Sequence, residues 1–85
     1  MPTVEVYTKA FCPYCARAKA LLAAKGVTFE EYDITMDKAL RAAMIERAQG
    51  RSTVPQVFVN DTHIGGSDDL AAAASSGKLD RLLAT

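Results

Sequence analysis

The stretch VEVYTKAFCPYC, residues 4–15, joins a β-branched and aromatic run to two cysteines that are separated by two residues. The alternating pattern of residues 3–8 predicts a strand. Pro13 stands where a helix can begin, because the first helical position tolerates the missing N–H of proline. We therefore expect Cys12 between the end of a strand and the start of a helix, and Cys15 one turn into that helix.

The rest of the chain alternates between short strand-like runs and longer helical patterns. The predicted elements are a helix at 16–25 ended by Gly26, a strand at 27–34, a helix capped by Thr35 or Asp37 and ending near Ala48, a strand at 56–60, its hairpin partner at 62–64, a helix at 67–76 and a short last helix at 78–83. The first two strands, joined by a helix, should be parallel with a right-handed crossover. We predict one α/β domain over residues 1–85, with a four-stranded mixed sheet in the order β-α-β-α-β-β-α.

The composition is that of an ordinary globular protein, with 49% apolar and 24% charged residues. Ten basic and ten acidic residues give a formal net charge of zero. This balance argues against partners held by bulk positive charge, such as a nucleic acid or an anionic membrane. No apolar run approaches the roughly 18 residues of a membrane span, and the start of the chain lacks the pattern of a signal peptide. We therefore expect a cytoplasmic monomer.

The two cysteines are the residues of this chain best suited to chemistry. A helix N-terminus carries partial positive charge and unpaired N–H groups, which would stabilise a thiolate at Cys12. Lys9 adds a positive charge nearby in sequence. Cys15 lies one turn further along, within disulfide reach. The spacing predicts a redox-capable dithiol in which Cys12 attacks and Cys15 resolves.

Two other interpretations of the cysteine pair are open. A structural zinc site needs four ligands, and the chain offers Cys12, Cys15 and the single histidine, His63. Inert core cysteines are the second alternative, but Pro13 and Tyr14 make a poor core helix. We expect no metal site and assign no role to His63.

Three separated motifs resemble the dithiol class of the glutaredoxin family, and in particular its small bacterial members. They are Cys12-Pro-Tyr-Cys15, Thr53-Val-Pro55 and Gly65-Gly-Ser-Asp-Asp69. The resemblance implies a thioredoxin fold and an enzyme, a glutathione-disulfide oxidoreductase acting in electron transport and cell redox homeostasis. It also implies that glutathione is a co-substrate and that no cofactor is permanently bound.

The same resemblance implies a groove for glutathione beside Cys12. Proline cannot donate to a sheet ladder, so Pro55 should begin the third strand. The family likeness implies that the Val54–Pro55 bond is cis and that glutathione pairs with the Val54 backbone. The N–H groups of Ser67 and Asp68 would receive the γ-glutamyl carboxylate. The implied binding residues are Lys9, Tyr14, Arg41, Thr53, Val54, Pro55, Gly66, Ser67 and Asp68.

The cation expected to meet the glycyl carboxylate of glutathione is Arg41, by its place on the second predicted helix. Arg51 and Gln49 are the alternatives, because the chain is one residue longer than the family pattern after Ala48. Many small glutaredoxins carry cysteine where this chain has Ser67. Side oxidation of a third thiol is therefore not expected.

The resemblance implies two reactions. Cys12 alone would reduce glutathionylated proteins, and Cys12 with Cys15 would reduce protein disulfides; ribonucleotide reductase is a candidate substrate by family likeness only. One alternative is a 2Fe-2S cluster held between two chains with glutathione. Another is a thioredoxin-like reductant. Thioredoxins usually carry tryptophan before the first cysteine, whereas this chain has Phe11 there and no tryptophan.

Overall fold

Four strands and four helices follow one another along residues 2–84, the part of the chain that the computed structural model describes. They are β1 (Val4–Thr8), α1 (Pro13–Ala24), β2 (Glu30–Asp33), α2 (Lys38–Arg47), β3 (Gln56–Val59), β4 (Thr62–Gly65), α3 (Ser67–Ser76) and α4 (Lys78–Leu83). The predicted order of elements is confirmed. Strand β2 is shorter than predicted, because pairing with β1 begins only at Glu30. Within the described part of the chain, no helix is long and apolar enough to cross a membrane.

The four strands form one mixed sheet in the order β2-β1-β3-β4. Strand β1 runs parallel to β2, with Tyr7 opposite Tyr32, and antiparallel to β3. Strands β3 and β4 form an antiparallel hairpin in which Phe58 faces His63. The predicted four-stranded mixed sheet and thioredoxin-like α/β fold are therefore confirmed.

Helices cover both faces of this sheet. On one face, valines of β1 and β3 pack against α1, α3 and α4; this cluster contains Val4, Val6, Val57, Val59, Ala18, Leu22, Leu70, Ala73 and Leu79. On the other face, Tyr7 and Phe58 pack against Met44 and Ala48 at α2. Successive side chains of a strand point to opposite faces, so β1 supplies valines to one core and Tyr7 to the other.

The strand directions bring three loops to one edge of the sheet. The carboxyl end of β1 leads to Cys12. Because β3 is antiparallel to β1, with Gln56 opposite Tyr7, the start of β3 lies at that same edge. The end of β4 returns there as well, with Gly65 opposite Val57. The segments around residues 12, 54 and 66 therefore meet, although they are far apart in sequence.

Arg47, in the last turn of α2, fastens that helix to the sheet. Its guanidinium donates to a Glu5 carboxylate oxygen at 2.9 Å and to the Tyr7 hydroxyl oxygen at 2.9 Å. It also lies 4.1 Å from the ring centre of Phe58. The hydrogen bond from Arg47 holds the pKa of the Glu5 carboxyl below its usual range, with a second contribution from Tyr32.

Replacing Arg47 by methionine should destabilise the fold most at neutral pH. The change leaves a partly buried Glu5 carboxylate without its cation, so we expect a loss of about 1–3 kcal/mol in the free energy of unfolding. Because the folded-state pKa of Glu5 is lowered, the pair contributes stability above about pH 4.5 that is lost as pH falls through the folded value. Urea unfolding at pH 7 and pH 3 measures both effects.

The ion pair between Lys25 and Asp80 provides the control. It has a similar length, 2.9 Å, but the Asp80 side chain is 62% exposed. Exposed pairs contribute about 0–1 kcal/mol, so Lys25→Met should change stability little. An Arg47→Met variant as stable as Lys25→Met at pH 7 would contradict the structural role of Arg47.

Candidate functional site

Cys12 is the N-cap residue of α1. Its backbone is extended, with φ −107° and ψ 107°, and Pro13 occupies the start of the helix. The Cys12 Sγ atom accepts a hydrogen bond from the Cys15 backbone N–H at 3.3 Å. The sulfur thus takes the place of the side-chain oxygen that usually caps a helix, where N–H groups and the helix dipole favour negative charge.

Cys15 has the opposite environment. It faces the interior from the first turn of α1 and is only 2% exposed, whereas Cys12 is half-buried. Burial raises the pKa of the Cys15 thiol to about 11, and its hydrogen bond with Cys12 adds to this effect. At neutral pH Cys15 is therefore held as a thiol beneath the more accessible sulfur of Cys12.

A groove of about 370 Å³ opens beside the cysteine pair. It lies between the start of β3 and the start of α3, and its lining residues are Tyr14, Arg51, Thr53, Val54, Pro55, Gly66, Ser67, Asp68 and Asp69. The Cys12 Sγ atom lies 4.0 Å from the Val54 carbonyl oxygen, so the sulfur borders this groove. The Val54–Pro55 peptide bond is cis, as the family resemblance implied.

The start of α3 is held in place by an ion pair within the groove. The Asp69 carboxylate accepts from the Gly66 backbone N–H at 3.0 Å and from the Arg51 guanidinium at 3.2 Å. These two contacts, the first being the larger, lower the pKa of Asp69. Gly65 has φ +120°, and a Cβ atom there would collide with both the Asp69 carboxylate and Arg51. Glycine is favoured here because its backbone adopts a positive φ that L side chains rarely adopt, and a Cβ atom would also displace this pair.

The structure brings most of the predicted binding residues together. Of the predicted set, the groove contains Tyr14, Thr53, Val54, Pro55, Gly66, Ser67 and Asp68. Lys9 instead lines a depression on the other side of the cysteine pair, together with Lys19 and Glu31. Arg41 lies outside both, on the outer surface of α2 beside Lys38 and Glu46.

Arg51, and not the predicted Arg41, lines the groove. The chain reverses after α2 through Gln49 and Gly50, which have φ angles of +59° and +97°. That turn carries Arg51 back to the start of α3. Asp69 was not predicted as a site residue, although its place three residues after Gly66 is the position at which an acidic side chain commonly caps a helix.

The acidic, histidine and cysteine side chains of residues 2–84 form no group of three that could hold a metal ion. Within the described residues, His63 does not join the cysteines in a ligand set, because its ring contacts Gln56 and Phe58.

Comparison with known proteins identifies close relatives. Residues 4–64 match the family model for glutaredoxin. The chain is 57% identical over 83 residues to Glutaredoxin 3 of Escherichia coli strain K12, covering 98% of this chain and 99% of that protein. It is 52% identical over 83 residues to a glutaredoxin of Pseudomonas aeruginosa, covering 98% of each.

Solved structures of similar proteins share the fold. The solution structure of a glutaredoxin from Brucella melitensis aligns with a TM-score of 0.82 at 56% identity, over 95% of this chain and 87% of that chain. The crystal structure of a buckwheat glutaredoxin–glutathione complex aligns with a TM-score of 0.87 at 31% identity, over 98% of this chain and 77% of that one.

The two cysteines should differ sharply in reactivity towards iodoacetamide. With a pKa of about 11, only about one Cys15 thiol in ten thousand is ionised at pH 7. We expect Cys12 to be carbamidomethylated first in the fully reduced protein, and Cys15 to remain unlabelled until the pH is raised towards 11. Peptide mass spectrometry over a time course measures the order. Labelling of Cys15 before Cys12 at pH 7 would contradict the assigned environments.

Proposed function

The chain belongs to the glutaredoxin family and is a glutathione-dependent thiol-disulfide oxidoreductase, and we propose that Cys12 is its nucleophile and Cys15 its resolving thiol. The observation that carries this proposal is the position of the Cys12 sulfur. It caps α1 at 3.3 Å from the Cys15 N–H and lies 4.0 Å from the Val54 carbonyl oxygen at the border of the groove.

In the first step, the Cys12 thiolate attacks the glutathionyl sulfur of a mixed disulfide. The new bond joins Cys12 to glutathione, and the bond between glutathione and the substrate breaks. The substrate sulfur leaves with the electron pair and takes up a proton from water. The attacking sulfur accepts the hydrogen bond from the Cys15 N–H at the start of α1, and the thiolate is the effective nucleophile in such an exchange.

The groove is the proposed binding site for the glutathionyl moiety. The Val54 backbone borders Cys12 and can pair with the extended cysteinyl residue as an added strand. The first N–H groups of α3, at Ser67 and Asp68, suit the γ-glutamyl carboxylate, because a helix N-terminus favours anions. We assign the glycyl carboxylate to Arg51, which lines the groove. The buckwheat glutaredoxin–glutathione complex, with the same fold, supports a glutathione site of this kind.

Turnover then requires a second glutathione. Its thiolate attacks the glutathione sulfur of the mixed disulfide, which releases glutathione disulfide and restores the Cys12 thiolate. The protein ends the cycle in the oxidation state in which it began, and only one protein thiol takes part.

Protein disulfides would be reduced through both cysteines. Attack by Cys12 forms a mixed disulfide with the substrate protein, and Cys15 then attacks the Cys12 sulfur. For this step the Cys15 thiol, whose pKa is about 11, gives its proton up to the departing substrate sulfur. Two glutathiones afterwards reduce the Cys12–Cys15 disulfide.

The redox chemistry of the cysteine pair bears on where the enzyme works and on its partners. We propose that the enzyme works as a monomer in the cytoplasm, where glutathione is kept reduced and protein thiols are the normal state. Its partners would be glutathionylated and disulfide-containing proteins, with ribonucleotide reductase as a candidate by family likeness. Cys12 with glutathione would also suit the 2Fe-2S alternative, but no observed contact favours that function over the redox reaction.

Serine substitutions should separate the two routes. Cys12→Ser removes the nucleophile and should abolish reduction of both glutathionyl and protein disulfides. Cys15→Ser removes only the resolving thiol, so it should retain reduction of a glutathionylated peptide within about a few-fold and lose the reduction of a protein disulfide. Assays coupled to glutathione reductase and NADPH measure both. The assigned roles are reversed if Cys12→Ser retains activity and Cys15→Ser does not.

Two arginine variants test the proposed groove. Arg51→Met should lower kcat/KM for a glutathionylated peptide by about five- to fiftyfold, the range expected for losing one hydrogen-bonded charge contact. Arg41→Met, a matched change on the outer surface of α2, should leave kcat/KM within about twofold, as exposed charges usually contribute little. If Arg41→Met lowers kcat/KM and Arg51→Met does not, the contact with the glycyl carboxylate belongs to Arg41.

A further inference from the structure

Gln56 is a fully buried polar residue at the start of β3, with no exposed surface. A buried amide is costly unless its donors and acceptor are all paired. The Gln56 Nε2 group donates to the Thr53 carbonyl oxygen at 3.0 Å and to the Thr53 hydroxyl oxygen at 3.3 Å. Both of these contacts bind the residue that immediately precedes Val54.

His63 completes this set of hydrogen bonds from the neighbouring strand. With the Gln56 Nε2 group facing Thr53, its Oε1 atom accepts from the His63 Nε2–H at 2.7 Å. The imidazole ring stacks on Phe58, with ring centres 4.9 Å apart. Burial, followed by the nearby Arg51, lowers the pKa of His63. The neutral ring therefore predominates at pH 7, and this contact selects its Nε2–H tautomer.

We propose that Gln56 and His63 are positioning residues that orient the Val54 N–H for glutathione. The proposal rests on the groove assigned under the proposed function. The Thr53 carbonyl and the Val54 N–H belong to the same peptide group, which is planar. Holding the carbonyl oxygen inward on the Gln56 amide therefore directs the Val54 N–H outward, on the side that faces the groove.

The hydrogen bonds that run from His63 through Gln56 to Thr53, called the relay below, add to the packing of Val54 in holding this segment. Pro55 has no N–H and cannot donate to the sheet ladder. Thr53 is exposed and precedes β3, which begins only at Gln56. The two hydrogen bonds from Gln56 thus connect the groove wall to the interior of the sheet, and His63 fixes which way the Gln56 amide faces.

Two single variants and their combination test the relay. Gln56→Met keeps the volume and removes both contacts to Thr53; His63→Phe keeps the stacking on Phe58 and removes the donor to Gln56. Each should lower kcat/KM for a glutathionylated peptide, Gln56→Met by about five- to tenfold, as expected for a lost buried hydrogen bond. Alkylation of Cys12 by iodoacetamide, which does not use the groove, should stay within about twofold of wild type, because the sulfur and its cap are unchanged.

The double variant decides whether the two residues act as one unit. In a relay, His63 acts only through Gln56, so Gln56→Met with His63→Phe should match Gln56→Met alone within about twofold. The relay is wrong if the two substitutions multiply their effects on kcat/KM, or if the single variants leave kcat/KM unchanged. It is also wrong if the rate of Cys12 alkylation falls as much as kcat/KM does. If Gln56→Met fails to fold, His63→Phe, a change at a half-exposed position, still allows kcat/KM and the rate of Cys12 alkylation to be measured.

Arg51→Met separates this inference from the proposed function. If Arg51→Met lowers kcat/KM while the relay variants match wild type, the groove assignment stands and the positioning role is wrong. If neither Arg51→Met nor the relay variants change kcat/KM, the groove itself is wrongly assigned. A lower kcat/KM in Arg51→Met and in the relay variants, with a normal rate of Cys12 alkylation, supports both the groove and the positioning role.

Discussion

The antiparallel pairing of β1 with β3 is the constraint on which the rest of the site depends. β1 is a central strand, parallel to β2 on one side and antiparallel to β3 on the other. The antiparallel direction brings the start of β3 to the edge at which β1 ends. Cys12 and Val54 are 42 residues apart in sequence, yet the Cys12 sulfur lies 4.0 Å from the Val54 carbonyl oxygen. Without this pairing, Cys12 and the groove would lie at opposite ends of the sheet.

The two cysteines show how one short motif produces two different thiols. Two residues separate them, and a single helical turn places one sulfur at the capped end of α1 and the other in the interior. The first sulfur accepts a hydrogen bond from a helix N–H and is partly exposed. Burial of the second raises the pKa of its thiol to about 11. The order of attack and resolution proposed for the enzyme follows from this difference in solvation.

The groove is made of backbone groups held in place by side chains behind them. Asp69 accepts from Gly66 and from Arg51 and so fixes the start of α3. Gln56 binds both oxygens of Thr53 on the opposite wall. Each of these two backbone segments is thus anchored to a buried or paired side chain. Gly65 permits this arrangement, since any larger residue would displace the Arg51–Asp69 pair.

The sequence by itself determined the order of elements, the cysteine pair at the start of a helix and the motifs that line the groove, because hydrophobic periodicity, helix-start signals and cysteine spacing are local properties. Only the tertiary structure decided which arginine reaches the groove. The turn at Gln49 and Gly50 directs Arg51 towards α3, whereas Arg41 stays on the outer surface of α2. The link from His63 through Gln56 to Thr53 was also invisible in the sequence. It depends on the register of β3 and β4, and strand register is a long-range property that no local pattern records.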